Sequence, residues 1–272
     1  MPTWRDHVEG GARRRVGVPV GLLVPAGIGA AFLLLPLAGL LIRAPWRQVW
    51  PQLRSTDVLT PLRLSLESAS IATAVALLLG VPLAWVLARV QFPGRSLLRA
   101  LVTLPLVLPP VVGGVALLLA FGRNGVLGRW LFHAFGLSLP FTTAGVVVAE
   151  TFVAMPFLVV SVEGALRGLD PRYDDAAATL GASRWFTFTR VTLPMLAPGV
   201  AAGAVLCWAR ALGEFGATIT FAGNYPGTTQ TMPLAVYLAL QDNPQAAIVL
   251  SLVLLVVSVA ILAGLRERWL RG

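Results

Sequence analysis

Six stretches of this chain are long and apolar enough to cross a lipid bilayer, and that leaves few folds open to it. They cover residues 18–42, 64–88, 100–121, 143–166, 196–223 and 246–265. A bilayer core needs about 20 mostly apolar residues per helix. Inside it every backbone N–H and C=O must be satisfied within the protein, so runs of this length predict helices. The expected fold is therefore an all-α integral membrane protein with about six transmembrane helices. Prolines inside the first four runs do not exclude this, because neighbouring helices can satisfy the freed backbone groups. Composition agrees: 12% of the residues are charged and 57% are hydrophobic, against about 25% charged in a soluble domain. Three arginines, Arg13, Arg14 and Arg15, precede the first run, but its apolar core is longer than the 7–15 residues of a signal peptide. It reads as a retained span.

The net charge is +9, and all 21 basic residues are arginine. They gather at the ends of apolar runs, so they read as topology signals and not as a nucleic-acid stripe. Arg5 and Arg13 to Arg15 lie before the first run, Arg89, Arg95 and Arg99 between the second and third. Arg167, Arg172, Arg184 and Arg190 lie between the fourth and fifth, and Arg266, Arg268 and Arg271 after the last. These 14 face one side; Arg43, Arg47, Arg54, Arg63, Arg123 and Arg129 face the other, and Arg210 sits inside a span. The arginine-rich side is the cytoplasm, which places both termini there in a multi-pass protein of the cytoplasmic membrane. The loop 224–245 has no basic residue and falls outside.

One cytoplasmic connection is more than a loop. "LDPRYDDAAATLG" predicts a helix with Asp170 as N-cap and Pro171 at its first position. Asp174 and Asp175 lie early, where negative charge complements the helix dipole, and Gly181 supplies the stop. Tyr173, Ala176, Ala177 and Leu180 follow helical spacing and share a shallow face suited to a groove on another protein. A plain interfacial helix is the alternative. Ser183 caps a second helix, "RWFTFTRVT", expected to end before Leu193 and Pro194, with Trp185, Phe186 and Phe188 anchoring it to the bundle or the membrane interface.

Asp175-Ala176-Ala177, Gly181 and Leu193-Pro194 resemble the EAA loop of ABC importer permeases, with Asp175 in the place of the Glu. The resemblance implies that 167–194 is a coupling loop, with Asp174, Asp175, Ala176, Ala177, Leu180, Gly181, Leu193 and Pro194 as its key positions. In that family it docks onto an ATP-hydrolysing subunit. A phosphate-binding P-loop needs Gly-Lys-Ser/Thr, and this chain has no lysine. ATP and magnesium are accordingly expected on a partner, with no cofactor, metal site or enzymatic activity in this chain.

The fifth run carries Arg210 and Glu214, four apart and so on one face. Ionisable residues within a membrane face the bundle interior or a water-filled path. Arg210, Gly213, Glu214, Phe215 and Gly216 are therefore candidates for the path or its gate, with a structural ion pair as the alternative. Glu67, Glu150 and Glu163 read as packing or interfacial groups. The turn-rich segment 223–233 reads either as a docking loop or as a connector. His7 and His133 are isolated, and no Ser, His and Asp are grouped for catalysis.

From Asp174 to about Leu265 the sequence resembles the molybdate branch of these permeases; sulfate/thiosulfate and tungstate permeases share "GEFG". The resemblance implies one permease domain over 1–272, with its core at about 60–265, in the type I importer fold. It also implies a homodimer, two ATP-binding subunits and an extracytoplasmic oxyanion-binding protein. Sulfate or tungstate cargo stays open, as does a secondary transporter or channel without an ATPase.

Overall fold

The computed structural model describes residues 20–170 and 172–270, and every regular element among them is helical. Pro171, His7, Arg5, Arg13, Arg14, Arg15 and Arg271 lie outside the described residues. The chain divides into two units, 1–44 and 45–272. Among the described residues of the first, 20–44, lies α1 (Val20–Ile42), about 35 Å of helix at 1.5 Å per residue.

The second unit opens with α2 (Trp46–Leu53), α3 (Thr56–Arg89) and α4 (Arg95–Thr103), which runs into a 3-10 turn at Leu104–Leu106. Next come α5 (Pro110–Phe121), α6 (Gly128–Phe135) and α7 (Thr143–Gly168). Two short helices follow, α8 (Arg172–Thr179) and α9 (Arg184–Thr187), then a π turn at Phe188–Thr192. The chain closes with α10 (Leu193–Leu212), α11 (Gly216–Phe221), α12 (Met232–Asp242) and α13 (Pro244–Leu270).

The core lies where α3, α7 and α10 pack together. Ala69, Ala72, Ala76 and Ala84 of α3 are buried against Ala154, Leu158 and Val162 of α7 and against Leu196, Cys207 and Ala211 of α10. Between helices in lipid the hydrophobic effect gives little, and small residues that allow close packing take its place. A second cluster joins Leu117 of α5, Ala149 and Val153 of α7, and Ala217 and Phe221 of α11. A third joins Val58 of α3, Met232 and Ala235 of α12, and Leu250 of α13.

Five helices are long and apolar enough to span a membrane, or six when one bent pair counts as a span. That pair corrects the continuous third span expected over 100–121: Arg95–Leu106 and Pro110–Phe121 meet at 117°. Adjacent prolines at 109 and 110 explain the bend. They supply no N–H, and a residue followed by proline is driven out of the α region, as Pro109 shows with ψ 130°. The fifth span is also broken. Instead of running to 223, α10 ends at Leu212, and the chain turns through Gly213, Glu214 and Phe215 before α11.

The arginines mark one end of the bundle. Arg95 Nε donates to the carbonyl of Leu87 at 2.8 Å, and Arg99 Nη2 donates to the same carbonyl at 3.0 Å. The C-terminus of α3 is thus capped by cations on α4, where the helix dipole favours them.

Candidate functional site

At the arginine-marked end, α8 and α9 fold as their punctuation directs. Asp170 Oδ1 accepts from the Arg172 amide at 2.9 Å. Gly181 ends the turn with φ +78°, a conformation that costs glycine little. Beyond it the Ala182 amide donates to the Ala177 carbonyl at 3.0 Å. Ser183 Oγ accepts from the Phe186 amide at 3.2 Å, capping α9. Tyr173, Ala176, Ala177 and Leu180 do share a face, and with Phe186 and Val191 they line an apolar recess of about 600 Å³.

Two details differ from expectation, and the three aromatic anchors divide between the bundle and the surface. The second helix does not stop before Leu193 and Pro194; the π turn carries it into α10, so Arg184–Leu212 is one apolar stretch of 29 residues. Pro194 follows the π turn directly, as the second residue of α10. Of the aromatic anchors only Phe188 meets the bundle, its ring 6.2 Å from that of Trp85 on α3. Trp185 and Phe186 are 73% and 54% exposed. Finally, Ala177 is nearly buried within its own loop, while Ala176 and Asp175 are exposed. Asp174 lies in α8, and Leu193 and Pro194 are exposed.

Within the bundle, Arg210 and Glu214 meet as their spacing predicts. Arg210 Nη2 lies 2.6 Å from Glu214 Oε2, as an ion pair outside hydrogen-bond alignment. The Glu214 side chain is 1% exposed and that of Arg210 27%. Glu214 Oε1 also accepts from the Ala217 amide at 2.8 Å. The carboxylate therefore spans the chain break, holding the end of α10 and the start of α11. The Phe215 ring packs 5.2 Å from Tyr237 of α12. Gly213 lies open in the turn, whereas Gly216 is pressed close: a Cβ there would stand 2.7 Å from Pro110 Cβ.

The acids read as packing groups have definite partners. Glu150 is buried on α7, where Oε1 accepts from Ser68 Oγ of α3 at 2.8 Å; Oε2 has no partner among the described residues. Glu163 Oε1 accepts from Arg99 Nη2 at 2.6 Å and from Arg167 Nη2 at 2.7 Å, tying α4 to α7. Glu67 pairs with Arg63 at 2.6 Å on an exposed face of α3. The segment 223–233 is not slack. Thr143 Oγ1 donates to the Thr228 carbonyl at 2.9 Å, and the Met232 amide donates to buried Ser65 Oγ at 2.7 Å. Helical spacing could reveal the pairs four residues apart, Arg63 with Glu67 and Glu163 with Arg167, but not the contacts of Ser68, Arg99, Thr228 and Met232, whose partners lie far off in the chain.

The described residues thus form a bundle of apolar helices with a charged pair at an internal break and an apolar recess at its arginine-rich end. Residues 76–272 match the family described as the binding-protein-dependent transport system inner membrane component, and the chain belongs to that family. It is 49% identical over 251 residues to the Molybdenum transport system permease protein ModB of Mycobacterium tuberculosis, covering 92% of this chain and 95% of that one. It is 40% identical over 227 residues to the Sulfate transport system permease protein CysT of Escherichia coli, 82% of each. A bacterial ABC transporter that imports the acidic polysaccharide alginate matches with a TM-score of 0.74 at 20% identity, over 92% of this chain and 94% of that one. That likeness concerns the fold. The chain is thus a multi-pass inner-membrane transport component and not an enzyme.

Proposed function

We propose that this chain is the permease subunit of an ATP-driven importer that carries molybdate across the cytoplasmic membrane by alternating access. The cargo rests on one observation, the 49% identity to the Mycobacterium tuberculosis molybdenum permease across 92% of this chain. In this reading two copies assemble around the path, and two ATP-binding subunits hold the ATP and magnesium. An extracytoplasmic binding protein delivers the oxyanion. The recess between α8 and α9 is the seat of the ATP-binding subunit, with Ala176 and Leu180 at its open edge. Asp175 keeps the charge of the family's Glu one methylene nearer the helix. Arg210, Gly213, Glu214, Phe215 and Gly216 form the gate, where α10 gives way to α11. ATP must bind one state better than the other, since a ligand shifts only an equilibrium whose states it distinguishes.

Sulfate is the second reading, favoured by the 40% identity to the Escherichia coli sulfate permease. Elemental mass spectrometry of cells with and without the gene, grown at scarce oxyanion with redundant uptake routes removed, separates the two. Molybdenum is expected to fall selectively and to return with the intact gene. Loss of sulfur or tungsten with molybdenum unchanged would overturn the molybdate assignment.

A further inference from the structure

One side of α3 is polar where it faces neither α7 nor the core. Arg63, Glu67, Ser70 and Ala74 are all exposed, and their spacing of four, three and four puts them on one stripe. Seven residues at 1.5 Å each carry Ser70 about 10 Å from Arg63 towards the middle of the bundle. There α10 joins the stripe, as Trp208 Nε1 donates to Ser70 Oγ at 3.1 Å. Beside Trp208 the open face of α10 carries exposed Ala209, with exposed Gly213 just past the helix end and Arg210 at the far edge, 27% exposed. At its arginine-poor end the stripe opens into a recess of about 480 Å³ among Thr60, Arg63 and Glu67 of α3, Thr143 of α7 and Gly227.

Turned towards lipid, a hydroxyl, an indole N–H and a guanidinium would be costly. This face therefore meets water or protein. A protein seam fits poorly, because it would have to cover an ion pair whose side chains are 81% and 52% exposed. It would also have to cover the Ser70 hydroxyl proton, which has no acceptor among the described residues. The same features suit a moving anion. By accepting the indole N–H, Ser70 keeps its own O–H free to donate outward. The small side chains of Ala74 and Ala209 leave room in front of it. Arg210 is neutralised by Glu214, so its charge does not trap the cargo. Weak, neutral donors bind an ion well enough to admit it and loosely enough to release it.

We infer that the α3–α10 face is the wall of the translocation path, and that the Ser70 hydroxyl, oriented by the Trp208 indole N–H, is its hydrogen-bond donor to a tetrahedral oxyanion. This rests on the permease reading above. Cys207 is the only cysteine and is buried, so a Cys207→Ala background allows single-cysteine probing. In membranes holding the complete transporter, Ser70→Cys is treated with 2-sulfonatoethyl methanethiosulfonate, an anionic electrophile that a water-exposed thiolate attacks, forming a mixed disulfide and releasing methanesulfinate. The control is Leu79→Cys, on the opposite side of α3 and 55% exposed in the isolated chain. Ser70→Cys is expected to react about tenfold faster than the control, since the thiolate forms only where water reaches. Molybdate delivered on its binding protein should slow that reaction. Reaction no faster than the control, both without nucleotide and with ATP, overturns the path assignment and points to a seam between copies. Fast reaction that no oxyanion slows overturns the donor role. Slowing by sulfate but not molybdate keeps this wall and overturns the cargo assignment instead.

Discussion

Glu214 holds two partners with one carboxylate: Oε2 faces Arg210 and Oε1 caps the Ala217 amide. Gln and Ala substitutions separate these roles. Glu214→Gln keeps an acceptor for Ala217 and loses the charge that balances Arg210. Breaking a fully buried pair costs about 3–5 kcal/mol and a surface pair contributes about 0–1. With Arg210 27% exposed, a cost of about 2 kcal/mol lies between those limits. Glu214→Ala should cost about 1 kcal/mol more by leaving the buried amide without its acceptor. Thermal unfolding of the purified transporter should rank wild type, Gln and Ala in falling order. Uptake should drop in both variants while the subunits still co-purify. Equal midpoints for Gln and Ala would remove the capping role. The pair was legible in the sequence because four residues make one helical turn. Glu163 with Arg99, 64 residues apart, and Glu150 with Ser68, 82 apart, were not. Only the packing of α3, α4 and α7 brings them together.

The elements between the fourth and fifth spans were legible in their caps and misread in their continuation. Asp170, Gly181 and Ser183 act locally, on amides two or three residues away or through their own φ, so sequence carries their whole signal. Whether a helix survives Leu193-Pro194 depends on the turn before it. Here the wide turn at Phe188–Thr192 joins α9 to α10, so this connection is continuous with a span. Movement imposed on α8 and α9 can then reach Arg210 along a single helix. Exposure also separates two neighbouring alanines: Ala177 is 9% exposed and packs within the loop, whereas Ala176 lies open beside the recess. Ala176→Glu is therefore the cleaner test of docking. A carboxylate buried without a partner at a contact should cost about 2 kcal/mol, some thirtyfold in affinity for the ATP-binding subunit. Pull-down of that subunit measures it, with the permease's own thermal midpoint unchanged. Full retention with normal uptake would place the docking surface elsewhere.

At the scale of the bundle, the two broken spans lean on each other. The sequence displayed both as apolar runs, because hydropathy reports length and not direction. Their bends arise from Pro109-Pro110 and from a carboxylate that caps α11 across the turn 213–215. Both bends feed one joint, where α5 packs on α11 and both pack on α7 around Leu117, Val153 and Phe221. Glycine makes the joint possible: a Cβ on Gly216 would meet Pro110 Cβ at 2.7 Å, and one on Gly114 would meet Thr220 Cβ at 2.6 Å. If gating moves α11, the motion must pass through this contact, which has no spare volume on either side. Gly216→Ala should accordingly lower stability by about 1–3 kcal/mol, the usual cost of overpacking. Gly164 on α7 is the control, since a Cβ there would meet nothing within 4 Å. Gly164→Ala should hold or raise the midpoint, because alanine favours a helix interior over glycine by about 0.5–1 kcal/mol. Paired unfolding scans of the two variants decide the matter. A Gly216→Ala transporter as stable as Gly164→Ala would mean that α5 and α11 can part, and that the joint is loose enough to yield without moving the gate.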